Sequence, residues 1–347
     1  MSFHSKITII TLVLLAVVVF FGWDQMVHAW GLLGSVNLWV LSLLIPIQFF
    51  SYYAVGETMF SYFRAKGDLT TMSRWRMTRI ALELNFVNHI VPVPSIAGFS
   101  YLGWILRHYG VTSGRATMAQ IIRFATMFIS LVFIIIIAVI VLTFDYGIDR
   151  TVIIISGSFI TAAVGGTTFL IYMIGSHKRI VWFSGWLTRV TNKFMFKLTR
   201  GKKRQFLKLQ TVEAFFIELH QDYINIRRDK KILIRPFLWA ILANLLDVLL
   251  ILIAFLALGF WVNPATLFIA CGLSSIAAVF AATPGGAGVY EAIMIAFLAS
   301  AGIPADVAIA GTLLARAILF MGTIIFGYLF YQLTINKYGK ISNSSNI

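Results

Sequence analysis

Seven ionisable side chains lie inside apolar stretches of this sequence: Glu57, Glu83, His89, Arg123, Asp247, Glu291 and Arg316. A charge at membrane depth costs about 3 kcal/mol or more unless it pairs or faces water, so each is a candidate for binding or proton transfer. Glu291 is the sharpest case. The run Thr283-Pro284-Gly285-Gly286-Ala287-Gly288 breaks the backbone, and the next apolar run holds Glu291 in its first turn, where the helix dipole favours a carboxylate. Glycines let backbone amides approach a ligand closely, and a helix N-terminus is a ready anion site. Gly285, Gly286 and Gly288 therefore suit a phosphate, whereas Glu291 suits an amine, a capping role or a pairing with Arg316.

Asn85, Asn88 and His89 share one helical turn just before Pro92 and Pro94, where they can bond a headgroup or the carbonyls that the prolines free. Glu57 lies two turns before the basic end of its apolar run and Arg123 near the start of its own; each can meet a substrate or snorkel to headgroup level. The candidate substrate-binding set is thus Glu57, Asn88, His89, Arg123, Gly285, Gly286, Gly288, Glu291 and Arg316. No catalytic set emerges. His89 has no second His or Cys at metal-ligand spacing, His4, His28, His108, His177 and His220 are scattered, and the sequence has no phosphate loop of the Gly-x-x-x-x-Gly-Lys-Ser/Thr form. Neither a metal nor a cofactor is expected, and ATP-driven pumping by this chain is not expected either.

The elements that must position these groups are membrane helices. Only 12% of the 347 residues are charged, 59% are hydrophobic, and the mean hydropathy is +0.88. Soluble domains carry about a quarter charged residues. Apolar runs recur from residue 7 to residue 335, which excludes a separate water-soluble catalytic domain. The 28 Lys and Arg outnumber 13 Asp and Glu, a net +15 that fits loops facing anionic lipid better than it fits nucleic acid. Cys271 is the one cysteine, so no disulfide can form within the chain.

Ile7 to Phe21 reads as a first span. Val36 to Phe63 reads as a second and runs into Arg64, Lys66, Arg74, Arg76 and Arg79, which puts that end and the N-terminus in the cytoplasm. Ile80 to Leu106 has basic flanks on both sides and a Val91-Pro92-Val93-Pro94 break, the pattern of a re-entrant hairpin. Met118 to Phe144 and Val152 to Gly175 cross outward and back. Pro236 to Gly259 crosses outward again. Ala265 to Ala282 and Val289 to Ala301 are two short arms about the glycine break, read as a second hairpin entering from outside. The last helix, Asp306 to Thr334, returns to a cytoplasmic C-terminus.

Residues 178–235 hold 15 Lys and Arg against four acids, Glu213, Glu218, Asp222 and Asp229, and form the main cytoplasmic loop. Trp182, Trp186, Val190, Phe194 and Leu198 recur every four residues, with Arg189, Lys193 and Lys197 on another face, as in a helix lying at the headgroups of the anionic inner leaflet. Phe206, Leu209, Phe216, Leu219, Tyr223 and Ile226 suggest a second. The expectation is an all-α polytopic membrane protein: one integral domain over residues 1–335, a polar tail over 336–347, and two broken hairpins entering from opposite faces as in inverted-repeat transporters. If each arm is an ordinary short helix, the count rises to about ten crossings, and the basic flanks fit that equally.

Gly56-Glu57, the Asn88-His89-x-x-Pro92-x-Pro94 break followed by Gly98, the block Thr283 to Glu291, and Arg316 resemble the flippase-like transmembrane region of lysylphosphatidylglycerol synthases. The resemblance covers nearly the whole chain; Pro-Gly-Gly-x-Gly-x-x-Glu is its most specific part. It implies a multi-pass cell-membrane flippase that moves a phosphate-headgroup lipid, such as aminoacylated phosphatidylglycerol or a polyprenyl-phosphate-linked lipid, between leaflets. Only Lys337 to Ile347 follow the last helix, so lysyl transfer is not expected of this chain. The family's hairpin often carries an acid soon after its first proline. Val93 to Gly98 has none, which leaves a neutral or anionic lipid open. The alternative function is a membrane-bound transferase or an accessory subunit that presents lipid to a separate glycosyl- or aminoacyl-transferase, with the 178–235 loop as the docking face for that lipid-modifying enzyme.

Overall fold

The computed structural model describes residues 34–90, 94–145, 175–198, 209–279 and 286–339, together with isolated positions such as Gly31 and a few between 157 and 173. The expected spans Ile7 to Phe21 and Val152 to Gly175, the hairpin tip at residues 91–93, Gly285 and the tail from Ser342 lie outside the described residues, wholly or in most of their length. Every described regular element is a helix. In chain order they are α1 (Leu38–Ser42), α2 (Leu44–Ala65), α3 (Arg74–Ile90), α4 (Pro94–Arg107), α5 (Ser113–Asp145), α6 (His177–Leu198), α7 (Leu209–Arg228), α8 (Ile234–Ala257), α9 (Pro264–Val279), α10 (Val289–Ser300) and α11 (Ala305–Tyr338).

Among the described residues, four segments are long and apolar enough to cross a bilayer: Leu38–Ala65, Gly114–Val141, Lys230–Ala257 and Ala305–Tyr338. Between them the order repeats, with a long helix, two short helices and a long helix in each half. The short members have 17, 14, 16 and 12 residues. At 1.5 Å per residue these reach about 26, 21, 24 and 18 Å, less than the ~30 Å of hydrocarbon. Each short helix packs along its own partner, α3 on α4 and α9 on α10. Asn88 and Gly98 mark the close approach of the first pair, since a Cβ on Gly98 would lie 2.2 Å from Asn88 Oδ1.

Two cores result. One gathers Phe60 and Phe63 of α2, Met77 and Leu84 of α3, Tyr101 and Leu102 of α4 and Ala119 of α5. The other gathers Ile135 of α5, Phe255 of α8, Leu267 and Ala270 of α9, Met294 and Leu298 of α10 and Ala308 of α11. Helix α5 serves both, as its 33 residues allow. Helix α11 runs to Tyr338, four residues beyond the end expected at Thr334.

The helices of the basic loop, α6 and α7, pack on each other, with Phe183 edge-on to Phe216 at 5.5 Å. Trp182, Trp186 and Val190 stay exposed on α6, an outward-facing apolar stripe.

Glycines let α11 approach its neighbours. A Cβ on Gly311 would meet the Phe255 ring at 2.3 Å, one on Gly322 would meet the Gln48 amide at 2.3 Å, and one on Gly327 would meet Phe86 Cβ at 2.4 Å and Leu82 O at 3.1 Å. Small residues at such contacts are how apolar helices gain close packing where no hydrophobic force separates lipid from protein. Gly327→Ala therefore wedges α3 away from α11, with an expected loss of about 1–3 kcal/mol. Gly185→Ala on α6 meets open space and is expected to be neutral or to stabilise by up to about 1 kcal/mol. Thermal unfolding of both variants in detergent, followed by tryptophan emission, checks the contrast; equal melting temperatures would contradict it.

Candidate functional site

A polar cavity of about 270 Å³ lies between helices α2, α8 and α11. Three helices line it with the same spacing: Gln48, Ser51, Tyr52 and Val55 on α2; Asn244, Asp247, Val248 and Ile251 on α8; Arg316, Leu319, Phe320 and Thr323 on α11. Each set falls at i, i+3, i+4 and i+7, one face of a helix. Asn85 of α3, Leu131 of α5, Leu250 of α8, Cys271 and Ser275 of α9 and Tyr290 of α10 complete the wall.

The polar groups hold one another in place. Ser51 donates to Asp247 Oδ1 at 2.6 Å, and Gln48 Nε2 donates to Tyr52 Oη at 2.7 Å and to Leu319 O at 2.8 Å. Tyr52 and Thr323 share a short hydrogen bond. Asn244 donates to Ser130 Oγ at 2.7 Å and Met127 O at 3.0 Å, which fixes α8 against α5. Asp247 makes no ion pair among the described residues. In an apolar bundle a carboxylate satisfied by one hydroxyl is an available partner for a cationic or hydroxylic group.

The glycine break sets the opposite charge. Gly286 and Gly288 have φ of +69° and +88°, a region that L side chains rarely adopt, and they turn the chain from α9 into α10. Glu291 follows in the first turn. Its Oε2 accepts the Gly288 N–H at 2.6 Å and its Oε1 accepts Arg316 Nε at 2.6 Å, so the capping role and the pairing coexist. The Arg316 guanidinium lies 4.4 Å from the Tyr290 ring centroid and lines the cavity. A charged, bonded arginine aimed at a polar chamber can neutralise phosphate, and Asp247 on the facing helix can meet an amine.

The other sequence-derived residues are placed elsewhere. Glu57 is buried in an ion pair with Arg64 and does not line the cavity. Arg123 is buried beside the Phe124 ring at 4.6 Å, with its Nε unpartnered among the described residues, and it too lies off the cavity wall. Asn88 is half-buried against Gly98. His89 is the penultimate residue of α3, and its side chain, like Gly285, lies outside the described residues. Of the nine candidates, Arg316 lines the chamber itself, while Glu291, Gly286 and Gly288 form the turn that positions it. Gln48, Ser51, Tyr52, Asn244, Tyr290 and Thr323 were not among the candidates; the signal that finds them is polar residues at helical spacing within apolar runs.

A family model described as the lysylphosphatidylglycerol synthase TM region matches residues 6–327. No curated protein matches the chain.

Proposed function

Because the chain belongs to the lysylphosphatidylglycerol synthase transmembrane-region family, a family of membrane proteins with a lipid-related role, we propose that it translocates a phosphate-headgroup lipid between leaflets. The observation that carries this reading is a polar chamber walled by Arg316 and Asp247 among apolar helices. A headgroup needs such a chamber to cross hydrocarbon, while its tails can remain in lipid. Arg316 would meet the phosphate, and Asp247 with Ser51 would meet an amine or hydroxyl. In this reading the short helix pairs are re-entrant hairpins of a plasma-membrane protein, the basic ends of the spans face the cytoplasm, and the chain moves lipid without modifying it.

Liposomes carrying the purified chain, with fluorescent phosphatidylglycerol or its lysylated form, test the reading by leaflet-specific quenching; a polyprenyl-phosphate sugar serves as a third probe. Protein-dependent exchange of at least one lipid is expected, and exchange of none by folded, inserted protein would overturn the proposal. Asp247→Asn is expected to slow the lysylated lipid about tenfold while sparing phosphatidylglycerol, the worth of one charge-assisted hydrogen bond. Equal slowing of both lipids would exclude Asp247 as the amine partner.

A further inference from the structure

We infer that the protein carries a second phosphate-binding pocket, separate from the central chamber, built from Arg76 and Arg79 of α3 and Lys337 of α11. The pocket has a volume of about 230 Å³, and its wall presents these three cations against a single carboxylate, Glu83. That carboxylate is already occupied: Thr334 donates to Oε1 at 2.7 Å and Tyr101 donates to Oε2. Arg79 Nη2 stands 3.7 Å from Glu83 Oε1, beyond hydrogen-bond length, and Arg79 Nε is buried with no hydrogen-bond partner among the described residues. Arg76 forms no ion pair among the described residues. It donates to the Tyr338 hydroxyl and lies 5.0 Å from the Tyr109 ring centroid.

Two guanidiniums held at fixed positions by aromatic groups, with an orphaned N–H and a surplus of positive charge, match a tetrahedral oxyanion in both charge and donor geometry. Tyr109 and Tyr338 hydrogen-bond each other, so of their two hydroxyl protons one stays between them and one is left for the pocket. Their hydroxyls are 2.9 Å apart, and burial, with the bond to Tyr338, pushes the Tyr109 hydroxyl up to about 12, which keeps its proton in place. Trp75, 55% exposed on the same wall, is a residue type enriched at the headgroup level of membrane proteins.

The pocket and the central chamber share two helices. On α11, Thr334 lines the first and Thr323 the second, eleven residues or about 16 Å apart; on α3, Glu83 and Asn85 do the same. The contact of Gly327 with Phe86 lies between them. The ligand is thus a phosphate group, from a lipid headgroup or from a soluble phosphate, bound where the basic ends of α3 and α11 meet.

Calorimetric titration of the full chain in detergent tests this with two probes: short-chain phosphatidylglycerol below its micellar concentration, and inorganic phosphate with chloride as control. Saturable binding is expected, weakened about tenfold or more in Arg76→Gln/Arg79→Gln and about threefold in the more exposed Lys337→Gln, and unchanged in Arg235→Gln, an exposed cation of α8 that lines neither cavity. Binding of the lipid alone identifies a headgroup site, and equal binding of phosphate identifies a soluble anion. Binding that keeps its affinity in both pocket variants, or binding of neither probe, overturns the proposal. Lys337→Gln keeps the test decisive if the double variant does not fold. Transport is not read in this experiment, so failure of translocation and failure of this pocket give different results.

Discussion

Arg316→Gln is expected to lower lipid exchange about a hundredfold and to destabilise the protein by about 3 kcal/mol, because it removes both the proposed phosphate partner and the counter-ion of Glu291. The two effects separate in the double variant. Glu291→Gln/Arg316→Gln leaves no uncompensated carboxylate, and a glutamine side-chain oxygen can still accept the Gly288 N–H that Glu291 Oε2 now takes at 2.6 Å. Its stability is therefore expected to exceed that of Arg316→Gln alone, while its exchange activity stays lost. The pair side chains are 17% and 15% exposed, so removing one partner strands the other in a poorly hydrated place. Unfolding midpoints and exchange rates of both single variants and the double variant check this. Additive destabilisation, or recovery of exchange in the double variant, would sink the assignment.

How much of this was legible in the sequence depends on the range of the interaction. The spanning helices were legible because eighteen or more apolar residues in a row have little alternative; Val36 to Phe63 became Leu38–Ala65, and Pro236 to Gly259 became Ile234–Ala257. The four-residue repeat of Trp182, Trp186 and Val190 predicted α6, where these side chains are exposed. The helix start after the glycine break was legible too, since Gly288 and Glu291 act within one turn. The fate of Glu57 was not. Its partner Arg64 lies two turns along the same helix, and choosing between that partner and a ligand depends on how α3 buries the site, with Ala81 pressed against Gly56. The chamber wall was hidden for a related reason. Ser51 meets Asp247 across 196 residues and Tyr52 meets Thr323 across 271, so each polar residue read alone looks like an isolated hydroxyl on an apolar helix. Only the shared i, i+3, i+4, i+7 spacing on three helices carries the information locally.

Gly286→Ala is expected to cost about 3 kcal/mol and to reduce lipid exchange strongly, whereas Gly288→Ala costs only about 1–2 kcal/mol, although both glycines have positive φ. The backbone penalty is similar at the two positions, and the difference lies in what the new methyl group meets. At Gly288 there is nothing within 4 Å. At Gly286 the methyl group falls 2.4 Å from Ala278 Cβ and 3.0 Å from its Cα, and backbone at that distance cannot give way as a flexible side chain would. The chain after the break must then swing away from α9, taking with it the Gly288 N–H that fixes Glu291 and, through Glu291, Arg316. Ala278→Gly in the Gly286→Ala background removes the nearest colliding atom, so it is expected to restore the packing part of the loss and most of the exchange activity, leaving the backbone part. Thermal unfolding of the four proteins, paired with exchange assays, resolves the two parts. Equal losses at Gly286 and Gly288, or no recovery with Ala278→Gly, would show that the turn does not position the ion pair through its contact with α9.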